Sequence, residues 1–485
     1  MPKKNKNILF VFIIIYCYSF SQNEIKILQS NYLQNYKITK KKFDMFCGNV
    51  IAEFKEHKLY CDTIFISNDG NYIKANSKNK SKIIDLKGSK IQSKKIEFFK
   101  NDSIINFTEE VIFTKERNEI HTDYLSYNPE KKIIYYENGG KLIDKESIIS
   151  SKNRLYHIKD EFGQFSETVS IKNKSYRIES EHLDLDNKND IIFLNSRSTV
   201  KSDELTIKGD WGILNKIDES INIWGNGIIN STNRIIYADS IFINKNKESQ
   251  LIGNIEVNEK ENIKIYCQSL FEKDGYSEFK GNPKIKFTSQ EGDITIEGKK
   301  MELNHHDSIL LIDNNTYIFS DSIQGKCDNS TFNLKSETIC MTQNPVLWTK
   351  KDQISGDTIY IYTKNEILDS IYIPNNSFII SKKKAEYYNQ IRGNELQGKF
   401  KKGKLHNIKL KGNTVLKYFE TNTKEEVTGL NDILCSSISI YMKKNEINNI
   451  SFKTKPQAIY TPKNLIEEKS LILEGFLNRF NEKKY

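Results

Sequence analysis

Four carboxylates recur at one place in a repeated pattern. Asp62, Asp123, Asp239 and Asp357 are each the fourth residue of a related nonapeptide: LYCDTIFIS, IHTDYLSYN, IYADSIFIN and ISGDTIYIY. Two carboxylates about 5 to 10 Å apart can run glycoside hydrolysis, one as acid and one as base or nucleophile. Other copies replace the acid, with Gln268 in IYCQSLFEK, Lys299 in IEGKKMELN and Glu337 in LKSETICMT. A position that varies so freely reads as a structural ladder, facing solvent or lying beside a turn, and not as a catalytic pair.

The remaining chemistry-bearing residues form no site either. The chain has no H-E-x-x-H, G-x-S-x-G, P-loop or G-x-G-x-x-G pattern. GNGIIN (225–230) reads as a turn between strands. DLDNKND (184–190) has Lys188 where a calcium loop needs a ligand and lacks the turn glycine. His305 and His306 are adjacent, so a strand would point them to opposite faces; a turn is expected there. The cysteines beyond residue 21 are Cys47, Cys61, Cys267, Cys327, Cys340 and Cys435, with no C-x-x-C spacing, although Cys47 and Cys61 flank one hairpin and could pair across it. No enzyme, metal site or cofactor is predicted.

What positions these residues is a repeated hairpin. First arms line up as GNVIAEF at 48, EEVIFTK at 109, SETVSIK at 166, GNGIINS at 225, GNIEVNE at 253 and GNPKIKF at 281, each followed by a second arm of the kind quoted above. Both arms alternate apolar and polar residues and are rich in Ile, Val, Tyr, Phe and Thr, the pattern of half-buried strands. One hairpin cannot bury its apolar face alone, so the copies must stack. Alternation places Val50, Ala52 and Phe54 on one face, followed by Val111, Phe113, Val169, Ile171, Ile255, Val257, Ile285 and Phe287 in later copies. These eleven form either a closed core or the floor of an apolar groove. After Pro462, Leu465, Leu471, Ile472, Phe476, Leu477 and Phe480 fall at helical spacing, which predicts a short amphipathic helix over 463–485 capping the sheets.

The first residues carry Lys3, Lys4 and Lys6, an apolar run from Ile8 to Tyr16, and the small residues Ser19 and Ser21 around Phe20. That is the layout of a secretory signal cleaved after Ser21, and the run is shorter than the roughly 20 residues of a spanning helix. Losing the three lysines lowers the net charge from +10 to +7. This mild excess suits acidic head groups, and a nucleic-acid partner is not expected.

The two stretches GNVIAEFKEHKLYCDTIFIS (48–67) and GNGIINSTNRIIYADSIFIN (225–244) resemble the organic-solvent-tolerance (OstA-like) domain family, which includes the periplasmic bridge proteins of lipopolysaccharide transport. NPVLWTKKDQISGDTIYIYTKNEILDSIYI (344–373) and YNQIRGNELQGKF (388–400) look like the long OstA-like proteins of the Bacteroidetes group. The resemblance implies an all-β protein, an elongated open β-jelly-roll, or β-taco, of stacked repeats. The signal peptide would occupy 1–21, the repeat jelly-roll 22–343, a continuing β segment 344–462, and the helix 463–485. It implies a periplasmic carrier, with possible outer-membrane association, that holds the lipid A acyl chains of lipopolysaccharide in its groove without covalent chemistry. Its other expected partners are further β-jelly-roll transport proteins, joined through edge strands, and outer-membrane assembly components. The chain departs from single-domain bridge proteins in being more than twice as long and in lacking the barrel of the outer-membrane member. The competing reading is a secreted polysaccharide-active or structural β-solenoid.

Overall fold

The computed structural model of the chain describes residues 25–484, except 39–40, 55, 86–87, 117, 145–146, 260–261, 290–291, 366, 385, 402–403 and 444–445. The signal peptide expected over 1–21 lies outside the described residues. The described chain is almost wholly antiparallel β structure, as the alternation predicts, interrupted only by short 3-10 turns.

Two compact units divide it: residues 1–174 with 181–188, and 175–180 with 189–485. Both units are built by the same device. A long strand pairs in one register, passes through a bulge where two of its residues face one on the partner, and then pairs in a register shifted by one residue. In the first unit, Lys41–Phe54 pairs Phe43–Cys47 with Thr63–Ser67 and, after the slip at 48–49, Val50–Phe54 with His57–Cys61. Ile104–Lys115 does the same around 109–110. The second unit repeats the slip in Ser220–Ser231 at 225–226, in Ser249–Glu259 at 253–254 and in Lys404–Thr421 at 412–413. Each strand thus contributes one half to each of two ladders.

The slip explains the recurring Gly-Asn. Gly48, Gly225 and Gly253 have φ of 80°, 76° and 80°, and the following Asn49, Asn226 and Asn254 have φ of 47°, 51° and 44°. Two consecutive left-handed residues turn the strand through a bulge, and glycine and asparagine bear that conformation at least cost. GNGIIN is therefore not a turn between strands: Gly225 and Asn226 form a corner inside one strand.

The ladders face one another across an apolar interior. In the first unit the Phe54 and Phe98 rings meet across it at 4.8 Å; in the second, Phe287 and Phe332 meet at 5.9 Å. The expected C-terminal helix is absent. Residues 463–484 form three isolated 3-10 turns, Lys463–Leu465, Glu468–Ser470 and Phe480–Glu482. They run as a strap over the outer face of one ladder of the second unit. Gln390 donates from Nε2 to the Leu471 carbonyl at 2.8 Å and accepts from the Leu473 amide at 2.7 Å. Gln353 grips the Leu477 carbonyl and the Arg479 amide in the same way, both at 2.7 Å. Ion pairs Arg392–Glu474 and Lys326–Glu482 hold the flanks. Amides taken by glutamine side chains cannot bond to carbonyls one helical turn back, and Gly475 at φ 86° leaves the helical region altogether.

The strap leaves a signature in burial. Most strands alternate buried and half-exposed residues, but Val346–Trp348 is buried throughout and Ser377–Lys384 begins with four buried residues. Consecutive buried residues need cover on both faces of a sheet.

Candidate functional site

The recurring carboxylates resolve into a structural ladder. Asn254 donates from its side-chain amide to Asp239 at 2.9 Å, Asn226 to Asp210 at 2.6 Å, Asn344 to Asp328 at 3.2 Å and Asn376 to Asp357 at 2.8 Å. The acid on one strand thus ties down the corner residue of the next. Asp62 accepts instead from the Lys78 amide at 2.8 Å. His305 and His306 sit in the turn after Lys300–Asn304, and their Nε2 atoms reach Ser277 and the Asp274 carbonyl respectively. Cys47 and Cys61 are both free thiols, and burial pushes Cys61 up to about 12. Among the described residues no group of acids, histidines and cysteines is placed to hold a metal.

The apolar stripe faces the interior. Val50, Ala52, Val111, Phe113, Val169, Ile171, Ile255, Val257, Ile285 and Phe287 are all buried, none more than 7% exposed. Cross-strand pairs such as Ala52 with Leu59, Phe113 with Ile120, Ile171 with Ile149, Val257 with Ile265 and Ile265 with Ile285 keep them on the inner face. Phe54 differs in being only half-buried, because it lies where the first unit's interior opens.

That opening is an apolar recess with an empty volume of ≈ 420 Å³ counted out to its mouth. Both ladders line it: Ile25, Phe54, His57, Leu59 and Ile83 on one side, and Ile73, Ala75, Ile96, Phe98 and Ile105 on the other. Its one titratable lining residue is His57, whose Nε2 lies 3.2 Å from the Tyr127 hydroxyl and whose buried Nδ1 has no hydrogen-bond partner. Burial drives the imidazole below its ordinary range, against the pull of Asp85 and Glu56. The wall is therefore uncharged at neutral pH, and the recess suits aliphatic chains.

The first arms alone nominate Phe54 from this set. Its partners come from second arms and from the opposite ladder, in strands such as Lys90–Phe99, whose alternation was visible but whose closeness to Phe54 depends on how the two ladders meet.

Two family models match the chain. One, described as OstA-like protein, matches residues 22–181. The other, described as LptA/(LptD N-terminal domain) LPS transport protein, matches residues 206–367. No curated protein matches the chain. Among solved structures, the chain is similar to the crystal structure of LptH, the LptA homologous periplasmic component of the conserved lipopolysaccharide transport device from Pseudomonas aeruginosa. The match is 13% identical, with a TM-score of 0.21, over 23% of this chain and 81% of that one.

Proposed function

We propose that the chain is a periplasmic carrier of the OstA-like kind that passes lipopolysaccharide or lipooligosaccharide toward the outer membrane, a reading supported by the two family models that match residues 22–181 and 206–367. The family is one of transport and not of catalysis. The observation that carries the reading is the recess: an uncharged, apolar gap between two ladders that opens at Phe54, His57 and Leu59. Acyl chains would enter between the ladders while the sugar stays in water. Each methylene leaving water contributes about 0.8 kcal/mol, so a chain of a dozen carbons gains roughly 10 kcal/mol before ordering losses.

Passage needs a path beyond the recess, and in each unit the inward stripe, Val50 to Ile171 in the first and Ile255 to Phe287 in the second, is its proposed floor. It also needs neighbours. The strands Glu446–Lys453 and Gln457–Pro462 each pair along one edge with Val427–Lys443, and among the described residues nothing pairs with their other edges. Such edges accept a further strand by β-augmentation. Another transport protein of the same fold, or an outer-membrane assembly component, would dock there.

Photo-cross-linking in cells tests the reading, with a photoreactive residue placed in turn at Val50, Phe54, Val111, Phe113, Ile255 and Phe287. Lipopolysaccharide adducts are expected, strongest at Phe54. A folded, exported protein that yields none at any of the six positions overturns the proposal.

A further inference from the structure

Arg154 lies on the inner face of Asn153–His157, between Tyr136 and Phe165 on the neighbouring strands. It is 4% exposed. Its guanidinium carbon is 4.6 Å from the centroid of the Tyr156 ring and 4.7 Å from that of Phe165. Nε and Nη1 have no hydrogen-bond partner. The hydroxyl of Tyr136 is shared with Ser151 of the facing ladder at 2.8 Å.

A cation in such a place calls for an explanation. Removing a guanidinium from water is costly unless a counter-charge or a full set of acceptors receives it, and an apolar residue of similar volume would be cheaper. Two ring faces attract the cation, but they accept nothing from its N–H donors. Burial lowers the group only to about 10, so it remains charged at neutral pH. The interior of the first unit thus holds a positive charge with two unspent donors, Nε and Nη1, on different sides of the guanidinium, each able to meet an anionic oxygen.

Arg154 shares this interior with the recess. His57, on the recess wall, touches Tyr127; Tyr127 pairs with Ile134, and Ile134 pairs with Tyr156. Three strand steps separate the strand of Ile105 from that of Arg154, about 14 Å at ~4.8 Å per step. An extended aliphatic chain of about a dozen carbons is of the same order.

We propose that Arg154 is an anion-recognition residue that receives the carboxylate or phosphate of an amphiphile whose aliphatic chain lies between the ladders. The inference rests on the carrier reading, and adds to it a preference for lipids that carry an anionic group at the depth of Arg154.

The test is binding of laurate, dodecyl phosphate and dodecanol to the full chain, by calorimetry, in the wild type and in Arg154→Met and Arg154→Lys. The wild type is expected to bind one or both anions about ten-fold or more tighter than the alcohol. Arg154→Met should lose that preference while keeping its affinity for dodecanol, and Arg154→Lys should keep part of it. Which anion is preferred distinguishes carboxylate from phosphate. Equal binding of all three by the wild type, or a preference that survives in Arg154→Met, overturns the role of Arg154 and leaves the carrier reading standing. Failure of all three to bind the wild type also overturns the role of Arg154, while the carrier reading stands or falls by the lipopolysaccharide cross-links. Should Arg154→Met fail to fold, labelling of the wild type by a diazirine-bearing fatty acid decides the matter: adducts on 133–136 and 153–165 support the site, and adducts confined elsewhere overturn it.

Discussion

At the scale of single residues, the repeated hairpin is a record of where strands turn corners. Gly253 has φ 80°, and a Cβ there would lie 2.3 Å from Asp239 Oδ2 and 2.9 Å from Asp239 Cβ. Gly253→Ala should therefore destabilise the second unit by about 1 to 3 kcal/mol, read as a lower urea midpoint. Asp239→Ala removes only an exposed hydrogen bond to Asn254 and should cost under about 1 kcal/mol, with lipid binding unchanged. A large loss of function from Asp239→Ala with the fold intact would revive a chemical role for the recurring acids. The sequence permitted half of this reading. Variation among Asp239, Gln268 and Lys299 marked the acid as structural, whereas Gly-Asn signals a tight turn and a mid-strand bulge alike, since both demand left-handed backbone. Only pairing, with Trp224 opposite Ser240 and Gly227 opposite Ala238, separates the two.

At the scale of elements, alternation was a sound guide to faces and a poor guide to the C-terminus. A period of two survives stacking, so the eleven first-arm residues named from the sequence could be placed on one face, and all but Phe54 are buried. The spacing of Leu471, Phe476 and Phe480 suits a helix, but it equally suits an irregular strap that presses side chains onto a sheet. What sequence could not supply was the partner: Gln353 and Gln390 read as polar strand residues until their amides are seen to be 1% and 0% exposed and spent on strap backbone. Gln390→Leu should strip the Leu471–Leu473 segment of two hydrogen bonds, at about 1 to 3 kcal/mol of local opening, and speed hydrogen exchange at the Leu473 amide. The Arg479 amide, held by Gln353, should be affected less. Acid should loosen the same strap from its other end. The Arg479 guanidinium and then Lys326 hold the Glu482 carboxyl down to about 2, below its ordinary value near 4.3. The stability this gives is complete above the unfolded value and lost as pH falls from about 4.5 toward 2. Exchange at Arg479 that stays slow through that window, or at Leu473 in Gln390→Leu, would mean the strap is held by something other than these contacts.

At the scale of the whole molecule, the two units share one construction. The inward stripe is buried in both, and the first interior opens at Phe54. On the carrier proposal, acyl chains enter the first interior at the gap beside Phe54, and the two interiors can be tested one at a time. Closing the two interiors separately should therefore have different effects. Cysteines at Phe54 and Phe98, joined by a short bifunctional thiol reagent, would tie the ladders together across the recess, where the native rings are 4.8 Å apart. Lipid binding by the purified protein should be lost. The same reagent across cysteines at Phe287 and Phe332, whose rings are 5.9 Å apart, should leave binding at the recess within about two-fold but stop release of lipid to an acceptor, because acyl chains need the ladders to separate by the width of a packed layer. Both variants need the native cysteines replaced, which their burial makes a packing question and not a chemical one: Cys267 and Cys327 are pushed up to about 12 by burial and are poor nucleophiles as they stand. If the staple in the second unit leaves transfer unimpaired, lipid does not pass through that interior, and the second unit serves to hold partners while the first carries the cargo.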